Sequence, residues 1–176
     1  MKKLFYVFIL SIVPLAVDSQ NKRTINVVTA GTLSNLISEQ EKYQIEELKL
    51  TGELNGTDFH LIREMAGIIT YINKDDLPRR CNKITNGKLK ILDLSDVEIK
   101  SGGKAYYYAN SEESNEFYDC YTRQNKVTYG IFAYTELESI ILPYSITEIH
   151  RGAFAFSKLK SLIIRRSSIL PWMTTL

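Results

Sequence analysis

The apolar positions of this chain follow two rhythms. In QIEELKLTG, KLKILDLSD, LESIILP and KLKSLII the pattern is L-x-x-L-x-L or its isoleucine equivalent, carried by Ile45, Leu48 and Leu50, by Leu89, Leu92 and Leu94, by Leu137, Ile140 and Leu142, and by Leu159, Leu162 and Ile164. Alternation at the last two positions of each set predicts a short strand with one apolar face. A strand this short cannot bury that face alone. Copies stacked side by side, about 4.8 Å apart, form a parallel sheet over a continuous apolar column. The second rhythm is helical: Phe59, Ile62 and Met65 fall on one side at three-residue spacing, with Thr57-Asp58 as the cap and Gly67 as the stop. Thr32 to Tyr43 reads as an amphipathic helix, capped by Thr32 with Leu33, Leu36 and Ile37 inward, that covers the first layer as an N-terminal cap.

Self-alignment gives the period. Val127, Gly130, Phe132, Ala133, Tyr134 and Leu137 recur 22 residues later as Ile149, Gly152, Phe154, Ala155, Phe156 and Leu159, and Ile140 and Leu142 recur as Leu162 and Ile164. Pro143, which lacks the N–H of a ladder, stops the strand. Gly152 relieves the backbone where the chain turns back, and Phe154 and Phe156 fill the wide side of the turn. From Ile45 to Leu89 is 44 residues, two periods, yet the middle copy offers only Ile69 to Ile72, so this stretch reads as one long repeat containing the helix. From Leu89 to Leu137 is 48 residues, one period plus 26, which places an insertion at about 101–126. After Ile164 the proline is replaced by Arg165. Ile169, Leu170, Trp172 and Met173 then either fold back as an improvised cap or leave a sticky end.

The stretches AGTLSNLISEQEKYQIEELKLTGELNGTDFHLIREMAG, GKLKILDLSDVEIKSGG and LESIILPYSITEIHRGAFAFSKLKSL resemble the BspA-like leucine-rich-repeat surface proteins of Bacteroidetes, over roughly residues 27–103 and 127–164. The resemblance implies an α/β right-handed leucine-rich-repeat solenoid with a parallel β-sheet, export to the cell surface or beyond, and adhesion to host matrix or bacterial surface proteins. Such proteins carry many repeats and often a C-terminal anchoring segment, whereas this chain has about two regular repeats before SSILPWMTTL. That departure raises a competing expectation, a truncated remnant of the family without a function of its own.

The N-terminus gives the same address independently. Lys2 and Lys3, the apolar run from Leu4 through Val13, Pro14, and the small residues Val17 and Ser19 follow the order of a secretory signal peptide cut after Ser19. The apolar run is shorter than the roughly 20 residues that a membrane-spanning helix needs. We therefore expect a signal peptide at 1–19, a cap and first repeat at 20–67, and further repeats with the insertion at 68–176. These form one domain, secreted or on the cell surface, with no transmembrane span in the mature chain. Loss of Lys2, Lys3 and Asp18 takes the formal charge from +2 to +1. So near-neutral a chain offers nucleic acid no basic patch. Cys81 and Cys120 either form one bridge or stay buried as small apolar residues.

Candidate chemistry is that of binding. Lys49, Asp93, Ile141 and Ile163 interleave with the strand leucines on the face away from the core, flanked by Glu47, Ile91, Ser139 and Ser161. This is the usual recognition surface of stacked repeats. Ile141 and Ile163 together suggest a contact patch or a place for a further repeat. Tyr106, Tyr107, Tyr108, Tyr118 and Tyr121 in the insertion are either a contact loop, for protein or glycan, or packing on the flank. The only histidines, His60 and His150, have no metal-ligand spacing, and no nucleophile elbow or phosphate loop occurs. Asp93 and Asp96 in DLSD do not make a persuasive acid/base pair, and Asp96 reads as closing a turn after the strand. The expectation is a binding protein, not an enzyme, with no cofactor and no metal. Its partner is a protein or a glycan, and end-to-end self-association runs through Ile163 and Trp172.

Overall fold

The computed structural model describes residues 21–73, 79–110 and 117–165, and the side chains of 70–73, 79–82, 109–110 and 117–118 lie outside that description. The segments at 1–19 and at Ile169 to Met173 therefore lie outside the described residues. In chain order the elements are β1 (Lys22–Val27), β2 (Glu47–Leu54), α1 (Gly56–Met65), β3 (Ile68–Asn73), β4 (Arg79–Ile84), β5 (Ile91–Ile99), β6 (Gly102–Asn110), β7 (Phe117–Thr122), β8 (Lys126–Val127), β9 (Ser139–Ile141), β10 (Glu148–Ile149) and β11 (Ser161–Ile163).

A five-stranded sheet in the order β1-β2-β5-β9-β11, every neighbouring pair parallel, is the spine of the molecule. β2 and β5 run for eight and nine residues, whereas β9 and β11 have three each; β9 stops at Ile141, just before Leu142 and Pro143. One face carries Ile25, Leu48, Leu50, Leu92, Leu94, Ile140 and Leu142, all buried. Each such side chain removed from water stabilises the fold by about 1.5–3 kcal/mol. Ile45, Leu89 and Leu137, the leading position of three repeats, are fully buried beside them. Opposite lie Phe59, Ile62 and Met65 of α1, on one side as the spacing predicts. Phe59 meets Phe132 edge-on at 6.0 Å and Tyr106 at 6.5 Å. The result is a mostly parallel α/β-like layer with one α-helix among the described residues and no closed barrel.

The 22-residue period is written into the backbone. Gly130 and Gly152 have φ of +70° and +77°, and Tyr134 and Phe156 take the same left-handed region at +61° and +55°. A Cβ on Gly130 would lie 2.3 Å from the Tyr107 ring, and one on Gly152 would lie 2.7 Å from the Tyr129 ring. Glycine is required at both turns by conformation and by space. Phe132 stacks on Phe154 at 5.4 Å and Tyr134 on Phe156 at 4.9 Å, so ring follows ring along the turns. Phe156 itself is exposed rather than filling the turn.

Several sequence expectations need correction. Thr32 to Tyr43 is not an α-helix: only Leu33–Asn35 forms a 3-10 turn, followed by further turns. The Thr32 hydroxyl donates to the Thr29 carbonyl at 2.7 Å instead of capping. The Asp58 carboxylate takes the N–H groups of Gly31 at 2.6 Å and Leu33 at 2.9 Å, so contacts with α1 override helical propensity here. Leu33 and Ile37 are buried, but Leu36 is exposed. Helix α1 is capped by Asn55, whose side chain accepts from the Thr57 N–H while Asp58 accepts from the Asn55 N–H, a reciprocal capping box. The stretch from β2 to β5 is one long repeat, the two strands pairing directly across 44 residues, but after α1 it also holds a hairpin. β3 and β4 pair antiparallel as a hairpin, and β6 and β7 form a second within the expected insertion. Strand β1, absent from the sequence reading, adds a layer before the first repeat.

Candidate functional site

Parallel register brings the four sheet positions into one row. Lys49 pairs with Asp93, Asp93 with Ile141 and Ile141 with Ile163, and Thr24 extends the row on the other side of Lys49. Lys49, Asp93 and Ile141 alternate with buried neighbours and so turn away from the core, Ile163 continues their row by register, and all four are partly exposed. Glu47, Ile91, Ser139 and Ser161 form the adjoining row, entered by Lys22, whose Nζ lies 2.9 Å from Glu47 Oε2.

The row has two chemical halves. Lys49 Nζ sits 2.8 Å from Asp96 Oδ2 and 3.7 Å from Asp93 Oδ2. The hydrogen bond with Asp96 holds the Lys49 pKa above its ordinary value, and the same bond holds the Asp96 carboxyl below its own. Both are ionised at neutral pH. Ile141 and Ile163 make the other half apolar. Asp96 does not close a turn. Strand β5 continues through it, opposite Thr51, after a bulge that sets Leu94 and Ser95 against the single residue Leu50. Asp93 Oδ1 braces the bulge by accepting the Ser95 N–H at 2.9 Å. Tyr144 and Arg165 were missed by the sequence reading. The Tyr144 N–H donates to the Ser95 carbonyl at 3.2 Å, and the Arg165 guanidinium donates to the Tyr144 hydroxyl at 3.1 Å. Tyr144 and Asp96 share a shallow depression of about 570 Å³ with Glu53 and Asn125.

No protein-family model matches the chain, and no curated protein matches it.

The tyrosines of the insertion divide. Tyr106 and Tyr107 are buried, so they are removed from the set of surface contacts. The Tyr106 hydroxyl lies 2.6 Å from the Thr128 hydroxyl and donates to the Tyr129 carbonyl at 2.8 Å. Tyr107 packs on Gly130 and faces the Arg63 guanidinium at 5.0 Å. Burial pushes the Tyr106 hydroxyl well above its usual pKa and that of Tyr107 up to about 12, and both stay protonated. Tyr108 is half-buried, and the Tyr118 side chain lies outside the described residues. Tyr121 is exposed and donates to Asp119 at 3.1 Å. It lines a groove of about 380 Å³ together with Arg123, Lys126, Tyr129, Glu148 and His150.

His60 lies half-buried on α1. His150 lies exposed after β10, with Tyr129 edge-on to its ring at 5.6 Å. Among the described residues no group of three or more His, Cys, Asp or Glu side chains is arranged to hold a metal ion. Cys120 is buried, and the side chain of Cys81 lies outside the described residues. No described helix is long and apolar enough to cross a membrane.

Proposed function

We propose that the chain is a secreted or cell-surface leucine-rich-repeat binding protein, a short right-handed solenoid of the BspA-like kind, acting by docking rather than by catalysis and without a cofactor. The observation that carries this reading is the register-aligned row Lys49, Asp93, Ile141 and Ile163, charged at one end and apolar at the other, on the open face of the parallel sheet. A flat face of this kind suits a protein surface: the isoleucines supply area to remove from water, and the Lys49 and Asp96 charges supply orientation. The order of charges and apolar residues at 1–19 supports export, and the 22-residue repeat supports the solenoid.

A glycan is the second reading, favoured by the groove where Tyr121, Tyr129 and His150 stand beside Arg123, Asp119 and Glu148. Surface plasmon resonance of the full chain over immobilised host matrix and bacterial surface proteins, run beside a glycan array, tests both. Protein binding weakened by Ile141→Asp supports the sheet-face reading. Glycan binding weakened by Tyr121→Ala supports the second, and silence on both surfaces counts against a binding role.

A further inference from the structure

Charge alternates from one repeat to the next. Glu136 stands between two lysines, with Lys90 Nζ 3.3 Å and Lys158 Nζ 2.8 Å from its Oε2. Glu138 meets Lys160 at 2.7 Å, and Lys126 meets Glu148 at 2.5 Å. Glu136 and Lys158, Glu138 and Lys160, and Lys126 and Glu148 are each 22 residues apart, so each repeat offers the next a charge of opposite sign.

The last described repeat is less covered than the one before it. Among the described strands β11 is the edge of the sheet. Ile140 and Leu142 are fully buried, but their equivalents one repeat later, Leu162 and Ile164, are 38% and 51% exposed. Phe156 is covered on one side by Tyr134 and remains 78% exposed. The side chains of Lys158 and Lys160 are 64% and 72% exposed despite their glutamate partners. An apolar patch rimmed by lysine, beside an edge strand, has the composition of an interface.

We propose that this repeat is a docking edge for an acidic strand of another protein, which adds to β11, covers Phe156, Leu162 and Ile164, and sets carboxylates against Lys158 and Lys160. Adding a strand to an edge supplies main-chain hydrogen bonds, and the side chains on either hand supply selectivity. The charges disfavour a second copy of this chain. Two β11 edges brought together would bring two basic rims, each with Lys158 and Lys160, to one seam. Continuing the sheet register into the β1 edge of a second copy would set Lys22 and Arg23 beside Ser161 and Leu162, adding basic residues to a basic rim. The inference is independent of the sheet face discussed above, since it concerns the edge of that sheet.

The probe is a dye-labelled synthetic peptide, TELESIILPYSI, which copies Thr135 to Ile146, the segment that already packs against Lys158 and Lys160 from the other side. Fluorescence anisotropy with the full chain is expected to show saturable binding. Replacing Glu136 and Glu138 by lysine in the peptide should weaken it about tenfold, the sum expected from turning two attractive pairs into repulsive ones. The Lys158→Glu, Lys160→Glu protein should reverse the preference, binding the lysine peptide over the parent. Equal affinity for the two peptides overturns the proposal, as does an absence of saturable binding. So does binding that emerges only after removal of residues 166–176, which assigns the face to the chain's own C-terminus. Sedimentation as a dimer whose dissociation accompanies peptide binding assigns it to a second copy and likewise overturns the proposal.

Discussion

Arg63 donates through one nitrogen, Nη1, to the carbonyl oxygen of Gly130 at 2.8 Å, across 67 residues of chain. The same nitrogen reaches the carbonyls of Ala133 at 3.0 Å and Ile131 at 3.3 Å, so the last turn of α1 organises the turn that begins the regular repeats. The guanidinium is fully buried, and its Nε and Nη2 have no hydrogen-bond partner among the described residues. Burial draws its pKa down to about 10, which leaves it charged at neutral pH. A buried cation held by carbonyl dipoles and the face of Tyr107 is costly to form and costlier to disrupt.

Arg63→Ala takes a shared donor from three carbonyls, of which only that of Gly130 keeps a backbone N–H among the described residues, from Ala133, and opens a cavity. It should destabilise the chain by about 3 kcal/mol in urea unfolding. Arg63→Met fills the cavity but restores no donor and should recover part of that loss. Equal stability of the alanine variant and the parent would show that the arginine is not part of the join.

Two glycines with positive φ, Gly130 of the repeat and Gly102 of β6, give a graded test. Gly130→Ala meets both a left-handed φ and the Tyr107 ring, and should cost about 2–3 kcal/mol. Gly102 has φ of +93° but nothing within 4 Å of an added Cβ, so Gly102→Ala should cost only about 1 kcal/mol. Thermal unfolding of the two variants side by side reads the difference as the contribution of space.

Asp58 caps α1 and also holds the 3-10 turn at Leu33. Asp58→Ala removes both functions and should cost about 2–3 kcal/mol. Amide exchange at Gly31 and Leu33 should rise more than global destabilisation accounts for. An increase spread evenly over the chain would contradict the local coupling.

Much of this was legible in the chain and some was not. The strand leucines and the Phe59, Ile62 and Met65 face announce themselves because burial imposes a period on them. The sheet row at Lys49, Asp93, Ile141 and Ile163 follows from the same period, since register fixes the outward positions once the inward ones are set. Strand β1 was readable in the alternation of Ile25 and Val27, although it lacks the leucine signature. The 3-10 turn at Leu33 was not readable, because Asp58, 25 residues away, decides it. Tyr106 and Tyr107 have the composition of a contact loop and the burial of a core; only the fold of β6 against α1 distinguishes the two.

Glu64 gives the acid limb of stability. Burial pushes its pKa up, but hydrogen bonds from the Tyr43 hydroxyl at 2.6 Å and Lys42 Nζ at 2.9 Å outweigh this and hold it below 4.5. A carboxyl with a depressed folded-state pKa stabilises fully above its unfolded value and loses that contribution as pH falls through the folded one. Burial works to lower the pKa of Lys42, yet Glu39 and Glu64 raise it above 10.5, so its contribution persists until strongly alkaline pH. The melting temperature should therefore fall below about pH 4.5, and Glu64→Gln should flatten that fall while lowering the plateau at neutral pH.

The most direct test of the account is a single comparison on immobilised host matrix and bacterial surface proteins: the full chain against its Ile141→Asp, Ile163→Asp variant, with both folds checked by circular dichroism. The account predicts saturable binding by the parent and at least about a tenfold loss in the variant, as the apolar half of the outward row becomes charged. Binding that the two substitutions leave unchanged would contradict it.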